Sequence, residues 1–181
     1  MSVEQVLDGI YAIQFEHVRT FVLEDVPEGQ TTLVDTAFEE DGPELTDTLR
    51  DEFGTIDRVI VTHGDHGHHG GLGHVMDEFD PEFLAAKDEE KLYEAIDYEP
   101  DRQFEDGDTL AGGIRVIQVP GHTAATSALL LEDRNILISG DTLDGADRAG
   151  LPAGYLLPPP ALFNEDHEAA EINLYDLLQY E

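Results

Sequence analysis

The chain has no cysteine and no tryptophan, and only nine of its 181 residues carry a lysine or arginine side chain. Without cysteine, disulfides and thiolate metal ligands are both excluded. The lack of basic residues argues against nucleic acid as a partner. Phosphate binding needs clustered lysine or arginine, whereas lysine occurs only at 87 and 91 and the arginines are scattered from Arg19 to Arg148. No apolar run reaches the roughly 18 residues of a membrane-spanning helix, and no charged leader followed by an apolar stretch opens the chain. A soluble, cytoplasmic protein without a membrane partner is the expectation.

Acid is what the sequence has in excess. Forty-one aspartates and glutamates give a formal net charge of −32, spread along the whole chain, and this opposes a compact state by self-repulsion in dilute salt. At about 1 M salt the Debye length falls to about 3 Å and most of that repulsion is screened. This balance predicts a salt-rich cytoplasm, as in halophilic archaea. The length predicts one domain over residues 1–181, large enough for a sizeable core.

Short alternating runs at residues 9–14, 20–24 and 32–35 read as strands, with Pro27-Glu28-Gly29-Gln30 turning the chain between the last two. Residues 43–53 read as a helix, with Pro43 in its first turn and Leu45, Leu49 and Phe53 on one face. A buried strand at Val59-Ile60-Val61 comes next, then a helix over residues 72–79 carrying His74 at its surface or in packing. A short strand at 83–86, a helix at 88–96 and strand-rich residues 109–138 follow. Residues 141–164 hold repeated glycine and proline, the pattern of a long functional loop, and Tyr155, Leu156 and Leu157 are candidates to line a pocket. A last helix, capped by Asn164 or Asp166, carries apolar residues from Ala169 to Leu178 at helical spacing.

Chemistry concentrates in three places. Thr62-His63-Gly64-Asp65-His66-Gly67-His68-His69-Gly70-Gly71 puts four of the eight histidines into seven positions directly after a strand. Val119-Pro120-Gly121-His122-Thr123 and Ser139-Gly140-Asp141-Thr142 each set a further ligand-type residue just past a strand, among small neighbours. Imidazole and carboxylate on flexible strand-end loops are the donors that a borderline transition metal takes, at about 2.0–2.2 Å.

In this order the motifs resemble the signature of the metallo-β-lactamase superfamily: Thr-His-x-His-x-Asp-His-x-Gly-Gly, then Gly-His-Thr, then Ser-Gly-Asp, over about residues 10–180. The resemblance implies an α/β fold, a four-layer αβ/βα sandwich with the metal loops at one end of its sheets. Aligning Thr62 and the pair Gly70-Gly71 puts His63 and His68 on the first and last ligand positions. Asp65 then replaces a histidine ligand, and Gly67 replaces the aspartate that would bind a second metal. His63, Asp65 and His122 would form the first metal site, Asp141 would bridge or complete it, and His68 would hold any second metal. The implied cofactor is one or two zinc ions, and the extra carboxylate leans somewhat toward iron or manganese. His66 and His69 stand nearby as substitute ligands or proton carriers. A register shifted by two would make His63, Asp65 and His66 the second to fourth ligands, but it forfeits the threonine and the glycine pair and buries the first position at Val61. The C-terminal end is shortened against the family pattern, which continues to a final strand and a ligand histidine. His167, in the first turn of the last helix, is expected at the surface.

The function implied is a metal-dependent hydrolase acting on an ester, thioester, lactone or similar bond of a small-molecule substrate, in the manner of a glyoxalase-II-like enzyme. The alternative is a degenerate member that binds metal or a small ligand without efficient turnover. A di-iron redox module would need an electron-carrier domain as well. Oligomeric state has no signal in the sequence.

Overall fold

The computed structural model describes residues 1–145, 150–152 and 154–180. Strands β1 (Ser2–Leu7), β2 (Ile10–Gln14), β3 (Arg19–Glu24) and β4 (Thr31–Val34) run antiparallel. They continue in parallel through β5 (Arg58–Val61), β6 (Glu82–Ala86) and β7 (Arg102–Phe104), in simple sequence order. A second, antiparallel sheet has the order β11 (Ile136–Ile138), β10 (Ser127–Leu131), β9 (Ile114–Gln118), β8 (Thr109–Leu110). The parallel pairs need crossovers, which α1 (Gly42–Phe53), α3 (Leu72–Phe79) and α4 (Glu90–Ala95) supply. A one-turn helix, α2 (His66–His69), precedes α3, and α5 (His167–Asn173) lies near the C-terminus.

Side chains that alternate along each strand divide the core into layers. Val34, Ile60 and Leu84 of the first sheet meet Val116, Leu129 and Leu131 of the second between the sheets. Their neighbours Leu33, Val59, Val61 and Phe83 point the other way, onto Leu45 and Leu49 of α1 and Leu72 and Val75 of α3. On the far side of the second sheet, Ile117, Ala128 and Leu130 are covered by Leu174 and Leu177. Helix, sheet, sheet, helix is the four-layer sandwich expected from the sequence.

Two local readings are corrected. The histidine-rich stretch, read as a flexible strand-end loop, forms a helical turn over His66–His69. Strand β1 escapes the sequence because every residue in it is exposed, so it carries no burial pattern. Asp166 caps α5, its carboxylate accepting from the Ala169 N–H at 3.0 Å, and His74 packs over Gly42. Within the long loop at 141–164, residues 146–149 and 153 fall outside the described residues.

Candidate metal centre

Strand β5 ends at Val61, and the next two residues begin the site. The Asp35 carboxylate, just after β4, accepts from the Thr62 backbone N–H at 2.8 Å, from the Thr62 hydroxyl at 2.9 Å and from His68 Nδ1 at 2.7 Å. A hydroxyl has one proton, and here it goes to Asp35. The 3.0 Å contact between Thr62 Oγ1 and His63 Nδ1 is therefore donated by the imidazole. That fixes the His63 tautomer and leaves Nε2 as a bare lone pair, buried and without a partner. Burial, followed by the charge on His68, pushes His63 well below the ordinary imidazole range, so the ring is neutral and ready to ligate.

His122 comes from the loop after β9. Its Nε2 lies 3.1 Å from Asp65 Oδ2 and 3.5 Å from Asp141 Oδ2, while Nδ1 donates to the Asn164 side-chain oxygen at 3.2 Å. The loop is held against the start of α5 by the bond from Asp166 N to Gly121 O. Gly121, at φ 143°, is required here: a Cβ on it would stand 2.2 Å from the Ala170 backbone nitrogen. Asp141 follows β11 on a 3-10 turn, with Oδ1 3.3 Å from His68 Nε2 and Oδ2 4.0 Å from His63 Nε2. Asp65 stands before α2, and Lys91 pairs with its second oxygen.

His63, Asp65, His122 and Asp141 each offer a ligand atom, and all four atoms lie within 4.8 Å of one another. Burial opposes charge on both carboxylates. Hydrogen bonds from His122 and Lys91 to Asp65, and from His68 to Asp141, outweigh it and hold both below the usual carboxylate range. Burial also opposes charge on His68, but Asp35 and Asp141 on either side of the ring raise it to about 10. Two buried imidazoles and two half-buried carboxylates in one spot, one nitrogen unpartnered, are a donor set that fits a divalent transition metal.

The preferred register therefore brings its first two motif positions, His63 and Asp65, together with His122 and Asp141. Val61, the first ligand in the shifted register, is buried in the strand core. His68 borders the four-residue cluster, spanning Asp35 and Asp141. His66 and His69 are not brought to the cluster; their rings pack against each other, tilted by 45° with centroids 5.1 Å apart, and line a separate cleft with Phe38 and Tyr98. His167 contacts Asn164 and Glu171. At Gly67 a Cβ would meet Val18 Cγ1 at 2.8 Å and Phe38 at 3.1 Å, so any side chain at this position would be hemmed by apolar neighbours. Sequence reasoning missed Asp35, Asn164 and Lys91. Asp35 carries the same signal that singled out Asp141, an acid directly after an apolar strand, and Lys91 is one of two lysines in an acid-rich chain.

Residues 14–179 match the family model for the metallo-β-lactamase superfamily. The chain belongs to that superfamily. Within it, a hydroxyacylglutathione hydrolase from Bdellovibrio bacteriovorus is 26% identical over 88% of this chain and 67% of its own length. Among solved structures, TMB-1 superposes with a TM-score of 0.72 at 18% identity, over 99% of this chain and 84% of its own. A metallo-β-lactamase with a HARLDQ motif from Cronobacter sakazakii gives 0.61 at 15% identity, covering 71% of this chain. This chain spans 57% of that protein's length. At such identities the structural matches establish the superfamily fold and nothing finer.

Proposed function

We propose that the protein is a metal-dependent hydrolase in which His63, Asp65, His122 and Asp141 hold one divalent ion, zinc or else iron or manganese. The observation that carries this reading is the buried, partnerless His63 Nε2 facing three further donors within 4.8 Å. The chemistry a divalent ion supplies when bound is activation of a water nucleophile near neutral pH and polarisation of a carbonyl oxygen. The chain's own residues do the rest. Asp35 and Thr62 set the His63 tautomer, Asn164 sets that of His122, and Lys91 keeps Asp65 ionised. Protons on His68 and His122 are the groups that ion binding would release or redirect.

The substrate is a small molecule with an ester, thioester or lactone bond, and the hydroxyacylglutathione hydrolase relative lends some weight to a thioester. The acidic composition supports work in a salt-rich cytoplasm. A second reading, metal binding without efficient turnover, is favoured by Gly67, where the family's second-metal carboxylate is missing. Metal-loaded protein in high salt, offered a panel of esters, thioesters and lactones, separates the two. Turnover that falls at least 100-fold in both His63→Ala and Asp141→Ala supports the hydrolase. A bound ion with no turnover across the panel would support the binder.

A further inference from the structure

Helix α4 begins directly against the metal loops. A Cβ at Gly64, between His63 and Asp65, would stand 2.6 Å from the Leu92 backbone nitrogen, so the first turn of α4 lies on this segment. Lys91 in that turn pairs with Asp65. Glu89, just before the helix, is completely buried, a costly place for an acid. Its side chain makes no capping bond to its own helix. Instead, Oε2 accepts from the Thr123 hydroxyl at 2.7 Å and from the Ala125 N–H at 3.0 Å, 34 and 36 residues along the chain.

The turn that Glu89 grips is the one carrying His122. The Thr123 hydroxyl gives its single proton to Glu89, so its 2.6 Å contact with Thr126 Oγ1 is donated by Thr126. Thr126 Oγ1 accepts in turn from the Thr123 N–H at 2.8 Å, and Thr126 O accepts from the Val119 N–H at 2.8 Å. These bonds close the chain on itself from 119 to 126 and keep His122 inside, only 2% exposed. On the other flank the N–H groups of Glu165 and Asp166 donate to the carbonyls of His122 and Gly121. The start of α5 thus holds one side of the turn, and Glu89 the other. Glu89 Oε1 is buried with no hydrogen-bond partner, a cost to stability that the bonds on Oε2 must offset.

We infer that Glu89 is a positioning residue for the metal centre, setting the His122 imidazole against Asp65 through its bonds to Thr123 and Ala125. Lys91, two residues further on, holds Asp65 itself. One helical turn therefore fixes two ligands that come from different loops to a common spacing. The inference rests on the metal-centre reading above and concerns a residue outside the ligand set. Without the Glu89 carboxylate, the Thr123 hydroxyl and the Ala125 N–H lose their acceptor, and the turn loosens on the side facing α4.

The test measures zinc affinity by competition with a chromophoric chelator in molar KCl, beside the melting temperature of the metal-free protein. Glu89→Ala should weaken zinc binding about 10-fold, the lower end for residues that orient ligands. Glu89→Gln keeps one oxygen able to accept both donors and should recover most of that loss. Thr123→Val, which removes only the hydroxyl, should weaken zinc to a similar degree, and Thr123→Ser should restore it. Combining Thr123→Val with Glu89→Ala should add little, because both break the same link. A lower melting temperature with zinc affinity unchanged in Glu89→Ala and Thr123→Val would leave Glu89 a purely structural role and overturn the inference. Should Glu89→Ala fail to fold, the two Thr123 variants decide it by the same criterion. Wild-type protein that takes up no zinc would overturn the metal-centre reading, and this inference with it.

Discussion

Each imidazole at the cluster is aimed by a hydrogen bond on its other nitrogen: Thr62 for His63, Asn164 for His122 and Asp35 for His68. Such supports set tautomer and orientation, and losing one commonly weakens a metal site about 10–100-fold. Asn164→Ala and Asp35→Asn should each reduce metal affinity by that order, read by competition against a chromophoric chelator, while the fold persists in circular dichroism. In metal-free protein His68, raised from 6.5 to about 10, should stay protonated through neutral pH. The sign follows from linkage: its contribution to stability is complete below about pH 6.5 and drains away as pH climbs toward 10. An NMR titration of the His68 ring at its ordinary value of 6.5 would contradict the Asp35–His68–Asp141 arrangement. These supports were hardly legible in the sequence. His63, Asp65, His122 and Asp141 announce themselves by type and strand-end position, whereas Asp35 and Asn164 act across 27 and 42 residues of chain, and no local pattern records such a pairing.

At the scale of elements, the periodic segments were the readable ones. Strand β5 is a continuous apolar run because both its faces are buried, and α1 and α3 show a 3.6-residue apolar face because one side lies on the sheet. The turn α2 was not readable, and it decides which histidines matter. Once residues 66–69 coil, His66 and His69 are three apart and share a face, with His68 turned away from them toward Asp35. An extended loop would have left all of them as equivalent donors. The same packing bears on Gly67. Replacing it with aspartate should not restore a second metal, because the new side chain must displace Val18 and Phe38. Gly67→Asp is expected to cost about 1–3 kcal/mol by overpacking, measured by urea denaturation, with the metal content per chain unchanged. A rise to two ions per chain would show that the region yields more readily than its contacts imply.

For the whole molecule, a charge of −32 makes salt part of the folding equilibrium. Surface repulsion is screened as the Debye length shrinks from about 10 Å at 0.1 M to about 3 Å at 1 M. Thermal stability should therefore rise steeply over that range of KCl and level off above it, as scanning calorimetry would report; a melting temperature indifferent to salt would leave the acidic surface without a role. The four-layer architecture was legible through the family resemblance, since the strand and helix periodicity alone gives only a mixed α and β chain. It brings the strand-end loops of residues 62–65, 121–122 and 140–141 to one point.

That convergence is the claim on which the rest depends, and X-ray absorption on the zinc-loaded protein tests it most directly. One ion per chain is expected, with two imidazole nitrogens and carboxylate oxygens at about 2.0–2.2 Å, a pattern that loses one imidazole in His63→Ala. A spectrum without imidazole scattering, or one unchanged in His63→Ala, would contradict it.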